Sequence, residues 1–315
     1  MPCTLEQAHN LGVAIIRNVK GVIVDKDDVI LKATATVLAG GNILFEDVPG
    51  VGKTVLCRAL AKSIGGTFSR VQCTPDLLPS DLLGTTIYER SSEQFKFHPG
   101  PVFSNLLLAD EINRATPKMQ SALLECMEEH QATVNGNTHT LPTPFIVVAT
   151  QNPIEYEGTF PLPEAQLDRF AVKLHMGYPS LEAEAQLLED QRLEHPLEKL
   201  QAVCSNNDLA EAIQCIRTVR LEANVRRYIV AVVDATRHND QISLGASPRA
   251  SQTLYRLSQA WAVLHKRDYV LPDDIKDLAP IVLEHRLILA DQDFREASWA
   301  AEKLIGDILN SVQVP

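Results

Sequence analysis

The sequence predicts an α/β domain built on a central parallel five-stranded sheet, followed by a C-terminal all-α domain. Two observations carry this prediction. Over residues 1–177, short runs rich in β-formers alternate with helical stretches, as in parallel strands joined by crossover helices. Beyond the turn-forming residues 177–180 (GYPS), helical periodicity continues to the C-terminus. We therefore expect one domain over residues 1–177 and a smaller helical one over residues 178–315.

Five segments of the first domain are strand candidates. Residues 104–110 (SNLLLAD) contain an unbroken apolar run, which suits a parallel strand buried on both faces. The other candidates are residues 41–46, 67–73, 144–150 and 171–176. Asn135-Gly136 lies between further β-formers and favours a tight hairpin, because both turn positions require positive φ.

The helix candidates show apolar residues at helical spacing. In the first domain they are the amphipathic N-terminus (residues 1–21) and residues 52–64 and 117–130. In the second domain they are residues 181–195, 207–219, 223–238, 248–266 and 272–284. Ser180 is suited to cap the first of these, because a serine oxygen can accept an N–H bond from the first helical turn.

Composition excludes some classes of partner. The net charge of −11 repels nucleic-acid backbones and anionic lipid surfaces, and aromatics make up 5% of the chain. No long Lys/Arg run offsets this charge, so nucleic acid is disfavoured as the main partner. No apolar run approaches the roughly 20 residues that cross a bilayer. The N-terminus lacks the basic start of a secretion signal, so we expect no membrane span.

The cysteines and histidines predict no metal centre. The six cysteines lie far apart and form no CxxC pair, which is typical of buried thiols in a reducing cytoplasm. The nine histidines are also scattered, so we interpret them as ordinary surface or core residues. These patterns predict a cytoplasmic protein.

A glycine-rich loop (EDVPGVGKT, residues 46–54) follows the first strand candidate and opens a helix. Gly50 and Gly52 lack a Cβ and can present backbone N–H groups to phosphate, beside the positive end of the helix dipole. Lys53 suits the β- and γ-phosphates, and the Thr54 hydroxyl suits Mg²⁺. The predicted nucleotide contacts are Pro49, Gly50, Val51, Gly52, Lys53, Thr54 and Val55. Asp47 replaces the first glycine of the pattern G-x-x-x-x-G-K-[ST], so a chance glycine loop is the alternative.

An acidic pair, Asp110-Glu111, ends the apolar run of residues 106–109. A buried strand that delivers two carboxylates to its C-terminal tip fits a site at the open edge of an α/β sheet. Asp110 would join the Mg²⁺ shell, and Glu111 would act as general base toward the attacking water. Alone, the pair could be a strand that ends in a solvated loop. After a phosphate loop, the catalytic interpretation is favoured.

The fourth strand candidate leads into Gln151-Asn152-Pro153. An amide at this strand tip could lie beside the γ-phosphate and orient the water. Asn-Pro is also a common strand-ending turn. The residues alone leave the two interpretations equal.

Three arginines have both a structural and a catalytic interpretation. Arg169 follows a proline-rich loop (residues 158–163) and a short helix, and Arg114 follows the acidic pair. Either could be a surface ion-pair partner, or could reach a neighbouring subunit's γ-phosphate. Arg249 lies in the first turn of a helix, where it opposes the helix dipole. That placement indicates another role, such as binding phosphate through a side chain that the second domain supplies.

Several motifs together resemble the MoxR family of AAA+ ATPases over about residues 20–290. They are GVGKT (residues 50–54), LLLADEINRA (106–115), ATQNP (149–153), LPEAQLDRF (162–170) and SPRA (247–250). The most specific are ADEINRA and LPEAQLDRF. The resemblance implies an AAA+ P-loop core with a helical lid, assembled as a ring that usually has six subunits. ATP would lie between core and lid, near the next subunit.

The resemblance also implies roles for single residues. Asn152 matches the first sensor and Arg249 the second sensor, which comes from the lid. Arg169 fits the arginine finger that acts in trans, with Arg114 as its rival. The hairpin around Asn135-Gly136 resembles the insertion that faces the central pore of such rings.

Family members are thought to remodel protein complexes like chaperones. Many mature metal-containing enzymes, often with a partner that carries a von Willebrand factor A (VWA) domain. Asp47 is a common variant in the family. One departure lies upstream, where relatives usually have a Val-Gly pair before the adenine pocket and this chain has residues 23–26 (IVDK).

The sequence thus predicts Mg²⁺-dependent ATP hydrolysis coupled to remodelling of a protein client. A nucleic-acid motor is one alternative, and charge and composition disfavour it. A regulatory scaffold with slow turnover is another, and its motifs would look the same.

Overall fold

The computed structural model describes residues 3–91, 93–152, 159–190, 196–290 and 297–314. Pro153, residue 158 of the proline-rich loop and residues 191–195 of a predicted helix lie outside the described residues. In chain order the strands are β1 (Ile43–Glu46), β2 (Phe68–Gln72), β3 (Gly84–Glu89), β4 (Gln94–Pro99), β5 (Leu106–Asp110), β6 (Gln131–Val134), β7 (Asn137–Thr140), β8 (Ile146–Gln151), β9 (Val172–Leu174), β10 (Ile242–Leu244) and β11 (Ile288–Leu289).

Helices surround these strands. They are α1 (Leu5–Lys20), α2 (Asp27–Leu38), α3 (Lys53–Ser63), α4 (Pro79–Leu83), α5 (Pro117–Glu129), α6 (Glu164–Leu167), α7 (Leu181–Asp190), α8 (Pro196–Lys199), α9 (Asn206–Ile216), α10 (Ala223–Ala235), α11 (Pro248–Leu264), α12 (Pro272–Leu283) and α13 (Ala297–Ser311). None of the described helices is long and apolar enough to cross a membrane.

The central sheet has five parallel strands in the order β2-β5-β8-β1-β9. This confirms the predicted α/β fold class, with each strand shorter than the sequence segment that predicted it. β5 lies inside the sheet, between β2 and β8, and its side chains are apolar on both faces. Leu106 and Leu108 pack with the helices on one side, and Leu107 and Ala109 with those on the other. The parallel arrangement places the carboxyl ends of all five strands at one edge of the sheet.

Two antiparallel hairpins flank the sheet. β6 and β7 join through Asn135 and Gly136, whose φ angles of 50° and 80° confirm the predicted turn. The β3–β4 hairpin was not predicted from the sequence. Apolar and polar residues do not alternate clearly along its strands, because most of its side chains are exposed on both faces. Phe95, for example, is 75% exposed.

The described residues of the C-terminal part are mainly helical and include a short antiparallel ladder between β10 and β11. The N-terminal helix α1 packs on α9 and α11 of this part as well as on α2 and α3. One apolar cluster therefore runs from the N-terminal helices into the C-terminal ones. The domain boundary at residue 177 stays a prediction.

A short 3-10 turn, Glu284–Arg286, anchors the C-terminal part to the sheet. The Lys173 ammonium lies between Glu46 Oε2, at 2.7 Å, and Glu284 Oε1, at 2.9 Å. His285 is buried, and its Nε2 lies 3.1 Å from the Phe170 carbonyl. Arg286 is also buried, and its Nε donates to Asp168 Oδ1 at 2.8 Å. All three residues of the turn thus bind groups of the core.

His285 makes stability sensitive to acid. Burial, reinforced by the adjacent Arg286 and by Lys173, holds the pKa of His285 well below its ordinary value of 6.5. As pH falls from 6.5 to 5, His285 binds a proton in the unfolded chain but stays neutral in the folded chain. The free energy of unfolding should therefore fall by up to about 1.4 kcal/mol per pH unit. His175 acts in a different window. Its pKa is raised by Glu284, so its stabilisation is lost only as pH rises above 6.5.

Denaturant titrations of the wild type and of His285→Gln at pH 6.5 and pH 5 measure this effect. The Gln amide can still donate to the Phe170 carbonyl but does not titrate. We expect the variant to lose less stability than the wild type across this interval. Equal losses in the two proteins would contradict the assignment to His285.

Candidate active site

The phosphate loop and three strand tips enclose a cavity of about 340 Å³ at the carboxyl edge of the sheet. Its lining comprises Asp47, Pro49, Gly50, Gly52, Lys53, Thr54, Val55, Arg70, Gln72, Asp110, Glu111, Thr150, Gln151 and Asn152. The structure thus brings together most of the residues that the sequence singled out on separate segments. Of the predicted loop contacts, Val51 is the one outside this lining.

The loop has the backbone shape that phosphate binding needs. Gly50 and Gly52 have φ angles of 88° and 94°, which side chains with a Cβ rarely adopt. Gly52 is the N-cap of α3, so the first N–H groups of this helix lie at the helix end beside the cavity. The buried Lys53 ammonium bonds to the Asp47 and Val48 carbonyls at 2.9 and 3.0 Å. Burial lowers its pKa, and nearby carboxylates oppose part of that shift.

Asp47 has a structural role that explains its place in the loop. Its carboxylate accepts the backbone N–H groups of Met176, at 2.6 Å, and Gly177, at 3.1 Å. A glycine at this position could not make these bonds. Asp47 therefore ties the phosphate loop to the chain that leads from β9 into the C-terminal part.

The acidic pair is held by Thr150 on the neighbouring strand. The Thr150 hydroxyl donates to Asp110 Oδ1 at 2.6 Å and accepts the Glu111 N–H at 2.8 Å. Glu111 has φ 56°, in the left-handed region, which costs a residue with a Cβ on the order of 1 kcal/mol or more. Such strain at a strand tip re-aims the side chain, here toward the cavity. Sequence reasoning missed Thr150, although its place at the tip of β8 could have indicated it.

Both carboxylates are paired with arginines of the same chain. Arg70 donates from Nε and Nη2 to Asp110 Oδ2, at 3.1 and 2.6 Å. Arg114 Nη1 donates to Glu111 Oε2 at 2.8 Å. Sequence reasoning missed Arg70, because nothing in its own strand marks it as a neighbour of Asp110. A ligand that binds these carboxylates must displace the arginines.

Asn152 lies at the tip of β8, in the lining of the same cavity. Its carbonyl accepts the side-chain amide of Asn113 at 3.4 Å. The structure therefore places Asn152 on the phosphate side of the sheet, and its role toward the attacking water stays a prediction.

Arg169 and Arg249 lie at the opposite edge of the sheet. They line a second cavity of about 360 Å³ together with Asn42, which precedes β1, and Ala171, which precedes β9. This cavity therefore opens at the amino edge. The two edges are separated by the length of β1, roughly 13 Å for its four residues. The structure does not bring Arg169 or Arg249 to the phosphate cavity of the same chain, and among the described residues none from the C-terminal part lines that cavity.

The segment that departs from the family pattern is bound to the start of the C-terminal part. Asp25 has φ 60°, in the left-handed region, and its Oδ2 accepts the Ser180 N–H at 2.9 Å. These bonds from Ser180 hold the pKa of Asp25 below its ordinary value. Lys26 Nζ donates to the Tyr178 carbonyl at 2.7 Å. Residues 25 and 26 thus bind the chain to residues 178–180.

Mg²⁺ fits the donors of the phosphate cavity. The Thr54 hydroxyl and the Asp110 carboxylate both line it, and Mg²⁺ prefers such hard oxygen ligands. Mg²⁺ bound to Asp110 Oδ2 would take the place of the Arg70 guanidinium, which pairs with this oxygen in the structure.

Comparison with known proteins agrees with the geometry. Residues 42–172 match the ATPase family associated with various cellular activities (AAA), and residues 234–308 match the AAA lid domain. The chain is 42% identical to the protein named Chaperone MoxR1 of Mycobacterium tuberculosis, over 98% of this chain and 83% of that protein. The chain belongs to the MoxR family of AAA+ ATPases.

Further relatives of this MoxR-family chain cover it almost completely. An uncharacterized protein named YeaC, from Bacillus subtilis, is 49% identical over 98% of this chain and 97% of its own length. A crystal structure of a candidate ATPase from Cytophaga hutchinsonii superposes with a TM-score of 0.89 at 40% identity, covering 98% of this chain and 96% of that one. The family membership makes this chain a nucleotide-binding ATPase with a helical lid.

Proposed function

We propose that the chain hydrolyses ATP with Mg²⁺ at the carboxyl-edge cavity and uses this reaction to remodel a protein client. The observation that carries the proposal is the meeting of Lys53, Thr54, Asp110 and Glu111 in one cavity beside the positive end of α3. Each of these groups has a side chain suited to one part of the reaction.

Within one subunit, the loop N–H groups and Lys53 bind the β- and γ-phosphates. Glu111 accepts a proton from the water that attacks the γ-phosphorus, while the bond to the leaving ADP oxygen breaks. Asn152 orients this water from the next strand tip. Mg²⁺ held by Thr54 and Asp110 would neutralise charge on the phosphate oxygens.

Arg169 and Arg249 act on the ATP of a neighbouring subunit. Their place at the amino edge supports this, because they lie too far from the phosphate cavity of their own chain. Both would contact the γ-phosphate bound by the neighbouring subunit and stabilise the charge of the transition state. Arg114 is a weaker candidate for this role, because it pairs with Glu111 at its own phosphate edge.

A site divided between two subunits requires a ring, and we propose the six-subunit ring usual among AAA+ proteins. The name of the M. tuberculosis relative supports a chaperone role. By the same resemblance, we propose a partner with a VWA domain and clients among metal-containing enzymes. The six cysteines are free thiols, which supports a reducing cytoplasm as the location.

Lys53→Ala tests the nucleotide assignment. We expect its affinity for ATP to fall roughly 10- to 100-fold, because a charge-assisted bond to phosphate is lost. Binding of a fluorescent ATP analogue and release of phosphate with and without Mg²⁺ provide the measurement. The exposed Lys118→Ala, outside the cavity, is the matched control. Wild-type affinity and turnover in Lys53→Ala would contradict the proposal.

The remodelling role needs a separate measurement. A pull-down with Glu111→Gln in ATP should retain a client, and adding this client to the wild type should raise the rate of hydrolysis. Capture of a client that leaves the rate unchanged would favour a regulatory scaffold instead.

A further inference from the structure

Glu128, near the C-terminal end of α5, lies between the two arginines of the amino edge. Its Oε2 pairs with Arg169 Nη1 at 2.9 Å, and its Oε1 pairs with Arg249 Nη2. Arg169 belongs to the core, whereas Arg249 comes from the lid helix α11. One carboxylate therefore joins two cations from two parts of the chain.

This bridge has a clear electrostatic purpose. Two guanidinium groups that face one cavity repel each other, and Arg256 on α11 adds a third cation to its lining. A carboxylate between Arg169 and Arg249 offsets that repulsion and fixes the spacing of their donor groups. Both arginine side chains stay partly exposed, at 30% and 44%, so they remain accessible to an incoming anion.

A second contact supports the same junction. Asp168, next to Arg169, accepts the Ser247 hydroxyl at 2.7 Å. Ser247 is the N-cap of α11, two residues before Arg249, and also receives the Arg249 N–H. The backbones that carry the two arginines are thus tied together, while Glu128 aligns their side chains.

We infer that Glu128 is a positioning residue that presents Arg169 and Arg249 as one unit to the γ-phosphate of the neighbouring subunit. The inference rests on the proposed function. Arg169 and Arg249 depend on Glu128 to different degrees. Arg169 Nη1 also donates to the Leu124 carbonyl at 2.7 Å. Arg249 contacts no other carboxylate in the part of the chain that the structure describes.

Glu128→Gln tests this inference. A glutamine amide offers one acceptor oxygen and no negative charge, so it cannot hold both guanidinium groups. We expect kcat to fall about 10- to 100-fold, as for a misplaced reacting group, with little change in KM for ATP. KM should hold because the phosphate cavity at the other edge is untouched. Glu129→Gln, on the next residue of α5, should keep the wild-type kcat, because Glu129 forms no ion pair within the described residues.

Three further readouts separate positioning from damage to the fold. Combined with Arg249→Ala, Glu128→Gln should lower kcat by less than it does alone, because its main target is already gone. Glu128→Asp, which keeps the charge on a shorter side chain, should be affected less than Glu128→Gln. Subunits carrying Glu128→Gln should also gain activity when mixed with Glu111→Gln subunits, whose arginines are intact.

An unchanged or raised kcat in Glu128→Gln, with an active wild type, would overturn the inference and leave the proposed function standing. So would full additivity with Arg249→Ala, or no gain on mixing. A wild type without ATPase activity would instead refute the proposed function itself.

Discussion

Glu111→Gln is expected to bind ATP like the wild type and to lose hydrolysis by roughly 10²- to 10⁴-fold in kcat, the usual contribution of a general base. Glutamine has nearly the same volume but cannot accept the proton of the attacking water. The backbone N–H of residue 111 would still bond to Thr150, so the strand tip should keep its shape. Equilibrium binding of an ATP analogue and single-turnover phosphate release measure the two effects separately.

Glu125→Gln, on the exposed face of α5, is the matched control and should match the wild type in both assays. Rapid hydrolysis by Glu111→Gln would exclude Glu111 as the general base. The same loss of binding in Glu111→Gln as in Lys53→Ala would place Glu111 among the groups that hold the nucleotide instead.

Arg169→Ala is expected to lower kcat by about 10³-fold or more, the scale of an arginine finger, while ATP affinity stays near the wild-type value. Affinity should persist because Arg169 lies outside the phosphate cavity of its own chain. Sedimentation of the variant with ATP checks that the ring still assembles. Steady-state hydrolysis and binding of the ATP analogue then report the effect on catalysis.

Arg227→Ala, on the exposed surface of α10, should behave as the wild type. A variant Arg169→Ala that assembles and hydrolyses ATP at full rate would refute the finger. Arg114→Ala tests the rival position in the same assays.

The sequence predicted the sheet well because its signals are local. The apolar run before Asp110 indicates a strand buried on both faces, and Asn135-Gly136 indicates a tight turn. Each inference needs only neighbouring residues. The β3–β4 hairpin was not predicted, because its strands bury few side chains on either face. No clear alternation of apolar and polar residues therefore marks them.

The phosphate cavity was largely predictable for a related reason. In a parallel sheet the carboxyl ends of all strands meet at one edge, so residues after successive strands converge. Asp110 ends β5, Lys53 and Asn152 come after β1 and β8, and all three meet in this cavity. Arg70 was missed because it lies in the middle of β2, where a polar residue carries no signal of its own, whereas Thr150 lies near the end of β8, a position that could have indicated it.

The position of Arg249 could not be predicted from the chain. Its misplaced charge at the start of α11 indicated a role outside the helix, but not the edge of the sheet that it would face. That edge depends on how the C-terminal helices dock, through contacts such as Arg286 with Asp168 and Ser247 with Asp168. These contacts join residues about 80 to 120 positions apart, beyond the reach of local patterns.

The central claim is that each ATP site combines the phosphate cavity of one subunit with the arginines of its neighbour. Mixing two inactive variants tests it most directly. Arg169→Ala keeps its cavity and Glu111→Gln keeps its arginines, so rings that contain both should form complete sites where the two meet. We predict that phosphate release by the equimolar mixture clearly exceeds the sum of the separate variants. A mixture that assembles and stays at that sum would contradict the shared site.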